Sequence, residues 1–341
     1  MGFFDFLSND VSIDLGTANT LIWAKGKGVV LNEPSIVAYD RTTRNIIAIG
    51  TEAQTMIGKT HKDIVIVRPL RDGAIADFEI TEGMLRAFIR KVSANWNSVR
   101  KVVVCVPSGI TEVEKRAVRD SCEHAGAKEV YLIAEPMASA IGVGLDVNAP
   151  VGNLIVDIGG GTTEIALISY SRIVTDQSIR IAGDEMTNAI VQYFKKYHNL
   201  AIGDRTAENI KINVGSAVEL EEELEIEVRG RDIISGIPTA RVVTSIEIRE
   251  ALSDVVKEII NAIFRLLDDS PPELSADIYD RGIILTGGGA LLKGLDEKIR
   301  IETKLPVHVP DDPLLAVVRG TGKVLENISE YSNVMIKNTR Y

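Results

Sequence analysis

Leu154-Ile-Val-Asp157-Ile-Gly159-Gly160-Gly161-Thr162-Thr163 is an apolar run carrying one aspartate and ending in three consecutive glycines. A short apolar run bounded by glycines reads as a buried strand entering a flexible turn. A second copy stands near the amino end, where Ser12-Ile-Asp14-Leu-Gly16-Thr17-Ala18-Asn19 also sets an aspartate before a small-residue turn; a second apolar strand follows in both places. A third strand-to-glycine junction lies at Ile283 to Gly289. The likeness of the first two points to an internal duplication. Three such junctions in one chain point to one composite site.

Helical periodicity separates these junctions, at Thr81 to Asn95, Glu112 to Ala125, Asp184 to Tyr197, Ile246 to Leu267 and Leu291 to Thr303. Strands alternating with helices give an α/β architecture. The stretch Gly215 to Thr244 differs, because Leu224, Ile226 and Val228 alternate with Glu225, Glu227 and Arg229, the pattern of an exposed antiparallel excursion. With 341 residues the chain has room for two domains of ordinary size. Hydrophobic residues at 45% and charged residues at 25% are the mixture of a globular chain with a real core. No apolar stretch is long enough to cross a bilayer and no signal peptide is visible, so the expected location is the cytosol. The two cysteines, Cys105 and Cys122, lack metal-ligand spacing and read as core filling. A net charge of -10 without a dense basic cluster argues against nucleic acid as a partner.

Backbone N–H groups in a tight turn can approach a phosphate chain only where side chains are small or absent. Gly16-Thr17-Ala18-Asn19 and Gly159-Gly160-Gly161-Thr162 meet that condition. Facing one cleft, they would clamp a di- or triphosphate from two sides, with Thr17, Asn19 and Thr162 adding side-chain donors. Asp14 and Asp157 would then hold hydrated Mg²⁺, which prefers few carboxylates, retained waters and phosphate oxygens. A single turn of this kind favours a plain hairpin; two copies with an aspartate in the same place, plus a third glycine loop at Thr286 to Leu291, favour the phosphate site. Rival phosphate motifs fail: Glu164 and Leu292 occupy the last position of G-x-G-x-x-G, and no Walker lysine pattern exists.

The stretches Asp14 to Thr20, Asp157 to Thr163 and Thr286 to Leu291 resemble the two phosphate motifs and the adenosine motif of the actin, Hsp70 and sugar-kinase superfamily. More narrowly, Asn32-Glu-Pro-Ser35, Arg68 to Phe78, Val106 to Glu114 and Glu135-Pro-Met-Ala-Ser-Ala140 are similar to the rod-shape-determining MreB family across nearly the whole chain. The resemblance implies an actin-like ATPase fold: two RNase H-like lobes with smaller inserted subdomains flanking a nucleotide cleft. Residues 1–140 with 310–341 would form the first lobe, with an insert at about 33–68; residues 141–309 would form the second, with an insert at about 184–246.

The resemblance also implies roles. ATP and Mg²⁺ are the expected cofactors and slow ATP hydrolysis the expected activity. Glu135 would orient the attacking water, with Thr162 beside the γ phosphate. Glu208-Asn209-Ile210-Lys211 would bind ribose, and Gly288, Gly289, Ala290 and Leu291 would lie against the adenosine. Without the family, Glu208 and Lys211 read as a surface ion pair. The first phosphate loop has no lysine, unlike that of eukaryotic actin. Expected partners are copies of the chain itself, paired as antiparallel protofilaments through the helix at Glu112, together with the inner membrane surface and wall-synthesis proteins. The implied function is a membrane-associated filament that maintains rod shape by organising peptidoglycan synthesis.

Placed on a helix, Phe3, Phe4, Phe6 and Leu7 form one apolar arc, either a weak membrane-surface anchor that a polymer strengthens by avidity or a frayed terminus packed on the protein's own surface. The family favours the anchor. Trp96 stands where the family inserts an apolar loop into lipid, yet it also continues the helical series Met84, Phe88, Val92 and reads as core. Two rival functions are a small-molecule kinase of the same superfamily, for which an acceptor-binding insertion and a base are wanting, and an Hsp70-like chaperone, for which no peptide-binding domain follows Gly322.

Overall fold

A computed structural model describes residues 10–92 and 99–336. Phe3, Phe4, Phe6, Leu7 and Trp96 lie outside them. Two mixed sheets organise the chain. In the first, the strands Gly28–Pro34, Asn19–Ala24 and Val11–Leu15 form an antiparallel meander, and Val11–Leu15 then pairs in parallel with Lys101–Val106, which pairs in parallel with Glu129–Ala134. In the second, Arg172–Ile179, Thr163–Ser169 and Asn153–Ile158 repeat the meander, followed by parallel Ile283–Thr286 and Val307–His308. Order and direction correspond strand for strand, which accounts for the duplicated motif. The first sheet carries one further short edge strand, Met335–Ile336, antiparallel to Glu129–Ala134.

The central strands are apolar without alternation because both faces are covered. Val102, Val104 and Val106 pack into a core with the helix Phe78–Val92, whereas Val103 and Cys105 face a second core shared with Ile155 and Ile168 of the other sheet. Between the sheets lie the helices Glu135–Gly142 and Ala316–Glu326. They cross at Gly142 and Gly320: a Cβ on Gly142 would overlap the carbonyl oxygen of Ala316, and one on Gly320 that of Ala138. Backbone therefore touches backbone where the two halves of the molecule meet.

Helix ends follow local chemistry. Thr111 with Glu114, and Thr244 with Glu247, form capping boxes that start the helices Glu112–His124 and Ser245–Asp268. Asp77 Oδ1 accepts from the Ile80 N–H at 3.2 Å, so the next helix begins at Phe78 rather than Thr81. The helix expected from Leu291 begins only at Leu295, because Gly294 is left-handed (φ 68°) and Gly288–Leu291 form a single 3-10 turn. The alternating stretch forms the hairpin Glu225–Asp232 with Pro238–Thr244, and a short strand Leu200–Ala201 joins it. A second small sheet, Ile46–Ile49, Val37–Asp40 and Ile64–Val67, stands off the first lobe. Among the described residues no helix is long and apolar enough to cross a membrane.

Candidate functional site

The two aspartate turns and the third glycine loop open onto one cavity of about 470 Å³ between the sheets, a size suited to a small ligand. Asp14, Gly16, Thr17, Ala18 and Asn19 line it from the first sheet, and Asp157, Gly159, Gly160, Gly161 and Thr162 from the second. The loops meet closely. A Cβ on Gly160 would stand 2.7 Å from Ala18 Cβ, and one on Gly161 2.8 Å from Thr17 Oγ1.

Both loops turn their carbonyl oxygens away from the opening. Ser35 takes those of the first: its Oγ donates to Gly16 O at 2.6 Å and its N–H to Ala18 O at 2.9 Å. The start of the helix Gly183–Tyr197 takes those of the second, with the Gly183 and Asp184 N–H groups donating to Gly159 O and Gly160 O at 3.1 and 2.7 Å. The N–H groups of Thr17, Ala18, Gly160 and Gly161 donate to no protein acceptor among the described residues. Thr17 and Gly161 are buried, and Ala18 and Gly160 half-buried; donors so enclosed need partners, and four of them around a carboxylate-floored cavity form a cradle for an anion.

Asp14 accepts from Cys105 Sγ at 3.3 Å, and Asp157 Oδ2 accepts from Ser139 Oγ at 2.9 Å and Thr286 Oγ1 at 2.7 Å. Burial pushes Asp14 up to about 7, opposed by the thiol and aided by the neighbouring Asp157 charge. Burial also raises Asp157, against its two hydroxyl donors. Glu135 is raised well above the usual carboxylate range by burial and by the charges of Glu164, Asp14 and Asp157. Such a group of repelling, desolvated carboxylates suits a cation. Among the described residues no three His, Cys, Asp or Glu side chains are arranged to hold a metal ion by themselves. Asp14 and Asp157 therefore fit Mg²⁺ as a partial site, one completed by water and phosphate oxygens.

Glu135 is the first residue of its helix. Pro136 suits the first turn, whose N–H groups lack helical acceptors in any case. Its carboxylate lines the cavity and accepts no protein hydrogen bond among the described residues. Glu208 and Lys211 also reach the cavity, paired at 2.7 Å, and Lys211 Nζ donates to Gly183 O at 2.9 Å. Asn209 and Ile210 do not line it: on the helix Asp204–Val214 they point away from the face shared by residues 208 and 211, Asn209 to solvent and Ile210 into the core. Ala290 is likewise buried behind Gly288, Gly289 and Leu291.

The sequence reading missed several lining residues. Ile212 and Leu314 join the expected Leu291, each about half exposed or more, in an apolar rim, and Arg68 Nη1 donates to Asp184 Oδ1 at 2.8 Å across the mouth. Only proximity reveals them, since neither residue type nor spacing marks them.

The model of a family described as MreB/Mbl protein matches residues 8–333. The chain belongs to the MreB/Mbl family. It is 50% identical over 322 residues to the cell shape-determining protein Mbl of Bacillus cereus, covering 94% of this chain and 97% of the relative. To the cell shape-determining protein MreB of Escherichia coli K12 it is 50% identical over 332 residues, 96% of each. The crystal structure of Spiroplasma citri MreB5 bound to ADP is similar with a TM-score of 0.91 and 39% identity, covering 96% of this chain and 98% of that one. The same MreB5 bound to AMPPNP gives a TM-score of 0.90. The fold of this MreB/Mbl member is thus actin-like, with the cavity in the cleft between its two halves.

Proposed function

We propose that this chain is an ATP-dependent filament protein of the inner membrane face, a slow ATPase that maintains rod shape by organising peptidoglycan synthesis. One observation carries the reading: two glycine loops with unpaired N–H groups oppose each other over Asp14, Glu135 and Asp157 in a single cavity. A nucleoside triphosphate has the charge and length to engage both loops at once. Relatives described as cell shape-determining, and an MreB5 solved with ADP and with AMPPNP, support it.

The N–H groups of Thr17, Ala18, Gly160 and Gly161 cradle the phosphates, and Asp14 and Asp157 hold Mg²⁺. Bound there, the ion neutralises phosphate charge. Glu135, which accepts from no protein donor among the described residues, holds the attacking water, with Thr162 beside it; phosphoryl transfer asks mainly for such positioning. Glu208 and Lys211 hold the ribose, and the apolar rim packs on the base. ATP bridging both loops favours a closed, assembly-competent molecule, and hydrolysis weakens that bridge. Copies of the chain pair through the helix Glu112–His124, where Val113 is 79% exposed. Phe3, Phe4, Phe6 and Leu7 anchor the polymer to lipid, and wall-synthesis proteins dock on it.

Sedimentation with lipid vesicles and Mg-ATP tests this. The intact chain is expected to pellet as filaments on vesicles, a chain lacking residues 1–9 to lose the lipid, and Asp157→Ala to lose nucleotide-dependent assembly. A soluble monomer in every condition returns the sugar-kinase reading. The loop contact supports a second prediction. Gly160→Ala sets a methyl 2.7 Å from Ala18 Cβ and forces the loops apart, so ATP affinity falls about 10-fold or more, roughly 1.4 kcal/mol, while the melting curve barely moves. Titration with a fluorescent ATP analogue reads it, and wild-type affinity would mean that the loops do not clamp together.

A further inference from the structure

Glu164 does not line the cavity, and the residue is 1% exposed. Its Oε2 accepts from the Ser108 N–H at 3.0 Å and from Ser108 Oγ at 2.8 Å, and its Oε1 accepts from Ser178 Oγ at 2.6 Å. The two serines belong to different halves of the molecule. Ser178 is the cross-strand neighbour of Glu164 within the second sheet, whereas Ser108 follows the first-sheet strand Lys101–Val106. A buried carboxylate satisfied by three neutral donors, with no cation in contact among the described residues, serves structure better than charge balance.

The chain positions on either side of this contact give it meaning. Glu164 stands two residues after Thr162. Ser108 stands two residues after Val106, whose parallel partner Ala134 directly precedes Glu135. The hydrogen bonds therefore join, by a short path on each side, the backbone that carries Thr162 to the backbone that carries Glu135. The seam is tight beside them: a Cβ on Gly109 would stand 3.3 Å from Ser178 Cβ. The charge of Glu164 also acts on Glu135, raising its proton affinity more than the charges of Asp14 and Asp157 do.

We propose that Glu164 is a positioning residue, an inter-lobe fastener that, through Ser108, holds Thr162 and Glu135 in register for hydrolysis. The inference rests on the ATP-hydrolysing reading for its consequence, but not for the contact itself. Two substitutions separate fastening from charge. In Glu164→Gln the side-chain oxygen can still accept both Ser108 bonds and the amide can donate to Ser178 Oγ, so the fastener survives without its charge. Glu164→Ala removes both.

Hydrogen exchange at the Ser108 amide and steady-state Mg-ATP hydrolysis are measured on the full chain. Glu164→Ala is expected to speed Ser108 exchange about 10-fold or more, since local opening sets that rate. Its kcat falls about 10-fold while KM stays within about 3-fold, the mark of lost alignment rather than lost binding. Glu164→Gln stays within about 3-fold of wild type in both readouts. Wild-type exchange in Glu164→Ala overturns the fastener. A kcat loss in Glu164→Gln as deep as in Glu164→Ala, with exchange unchanged, also overturns it, because charge alone would then account for the effect. Should Glu164→Ala fail to fold, Ser108→Ala removes one bond from the same carboxylate, and unchanged kcat and exchange there overturn the proposal. A wild-type chain that does not hydrolyse ATP sinks the proposed function, and the exchange measurement still decides the fastener.

Discussion

Glu135→Ala is expected to lower ATP turnover by about 100-fold to 10,000-fold, the range for removing a group that positions or deprotonates the nucleophile, while leaving ATP affinity within a few fold. The split follows from geometry. The proposed phosphate cradle is built from backbone of the two loops, which the substitution does not touch, whereas the Glu135 carboxylate lines the cavity and accepts no protein hydrogen bond among the described residues. Burial and the charges of Glu164, Asp14 and Asp157 raise its proton affinity, which brings an ordinary carboxylate closer to the strength a base needs at neutral pH. Single-turnover phosphate release, read beside binding of a fluorescent ATP analogue, separates the two quantities. The ATP-loaded state should accumulate, so filaments of Glu135→Ala should persist longer. Glu135→Gln retains size and hydrogen-bonding capacity, and its rate shows how much of the effect is charge. Unchanged turnover in Glu135→Ala would remove this residue from the mechanism.

Gly320→Ala is expected to destabilise the protein by about 4 kcal/mol or more, beyond the usual range of single substitutions. The new methyl would overlap the carbonyl oxygen of Ala138, and the reciprocal contact of Gly142 with Ala316 leaves no direction in which the helices can slip. They would have to separate, opening the core that Val103, Cys105, Ile155 and Val324 share. Overpacking that side chains and small backbone shifts can absorb ordinarily costs about 1–3 kcal/mol and occasionally more; here the overlap is with a backbone carbonyl at a crossing where backbone meets backbone on both sides. Native domains hold only about 5–15 kcal/mol in total, so much of the variant should be insoluble or unfolded. Gly203→Ala is the matched control. Among the described residues, its chain neighbours aside, no heavy atom lies within 4 Å of an added Cβ, and its φ is -89°, so the change should stay within about 1 kcal/mol. Urea denaturation of both variants makes the comparison, and equal midpoints would mean that the crossing has slack the geometry does not show.

These two residues also divide what could be read from the chain alone from what could not. Glu135 stands in a short stretch similar to a known family, and Asp14, Asp157 and the glycine turns beside them are local signals: an apolar strand must end somewhere, and a turn that admits phosphate must be built from small residues. The exposed hairpin was legible for the same reason, since the alternation of Leu224, Ile226 and Val228 with charged neighbours lies within a few residues. Helix starts shifted where a single cap or a left-handed glycine acted, as at Asp77 and Gly294.

Gly320 carried no such mark. Its partner is 178 positions earlier, and Arg319-Gly-Thr-Gly322 by itself reads as a turn, whereas it lies within the helix Ala316–Glu326, where the glycines admit another backbone. The same holds for Arg68 with Asp184 and for Glu164 with Ser108, each contact made between residues far apart in the chain. Local periodicity determined the strands, the helices and the duplicated loops, because each depends on neighbours within a turn or a strand. Only the docking of one sheet against the other decided which loops face each other, which carboxylates share the cleft floor and which buried glutamate holds the halves together, because those relations are set by packing between segments that the order of residues leaves far apart.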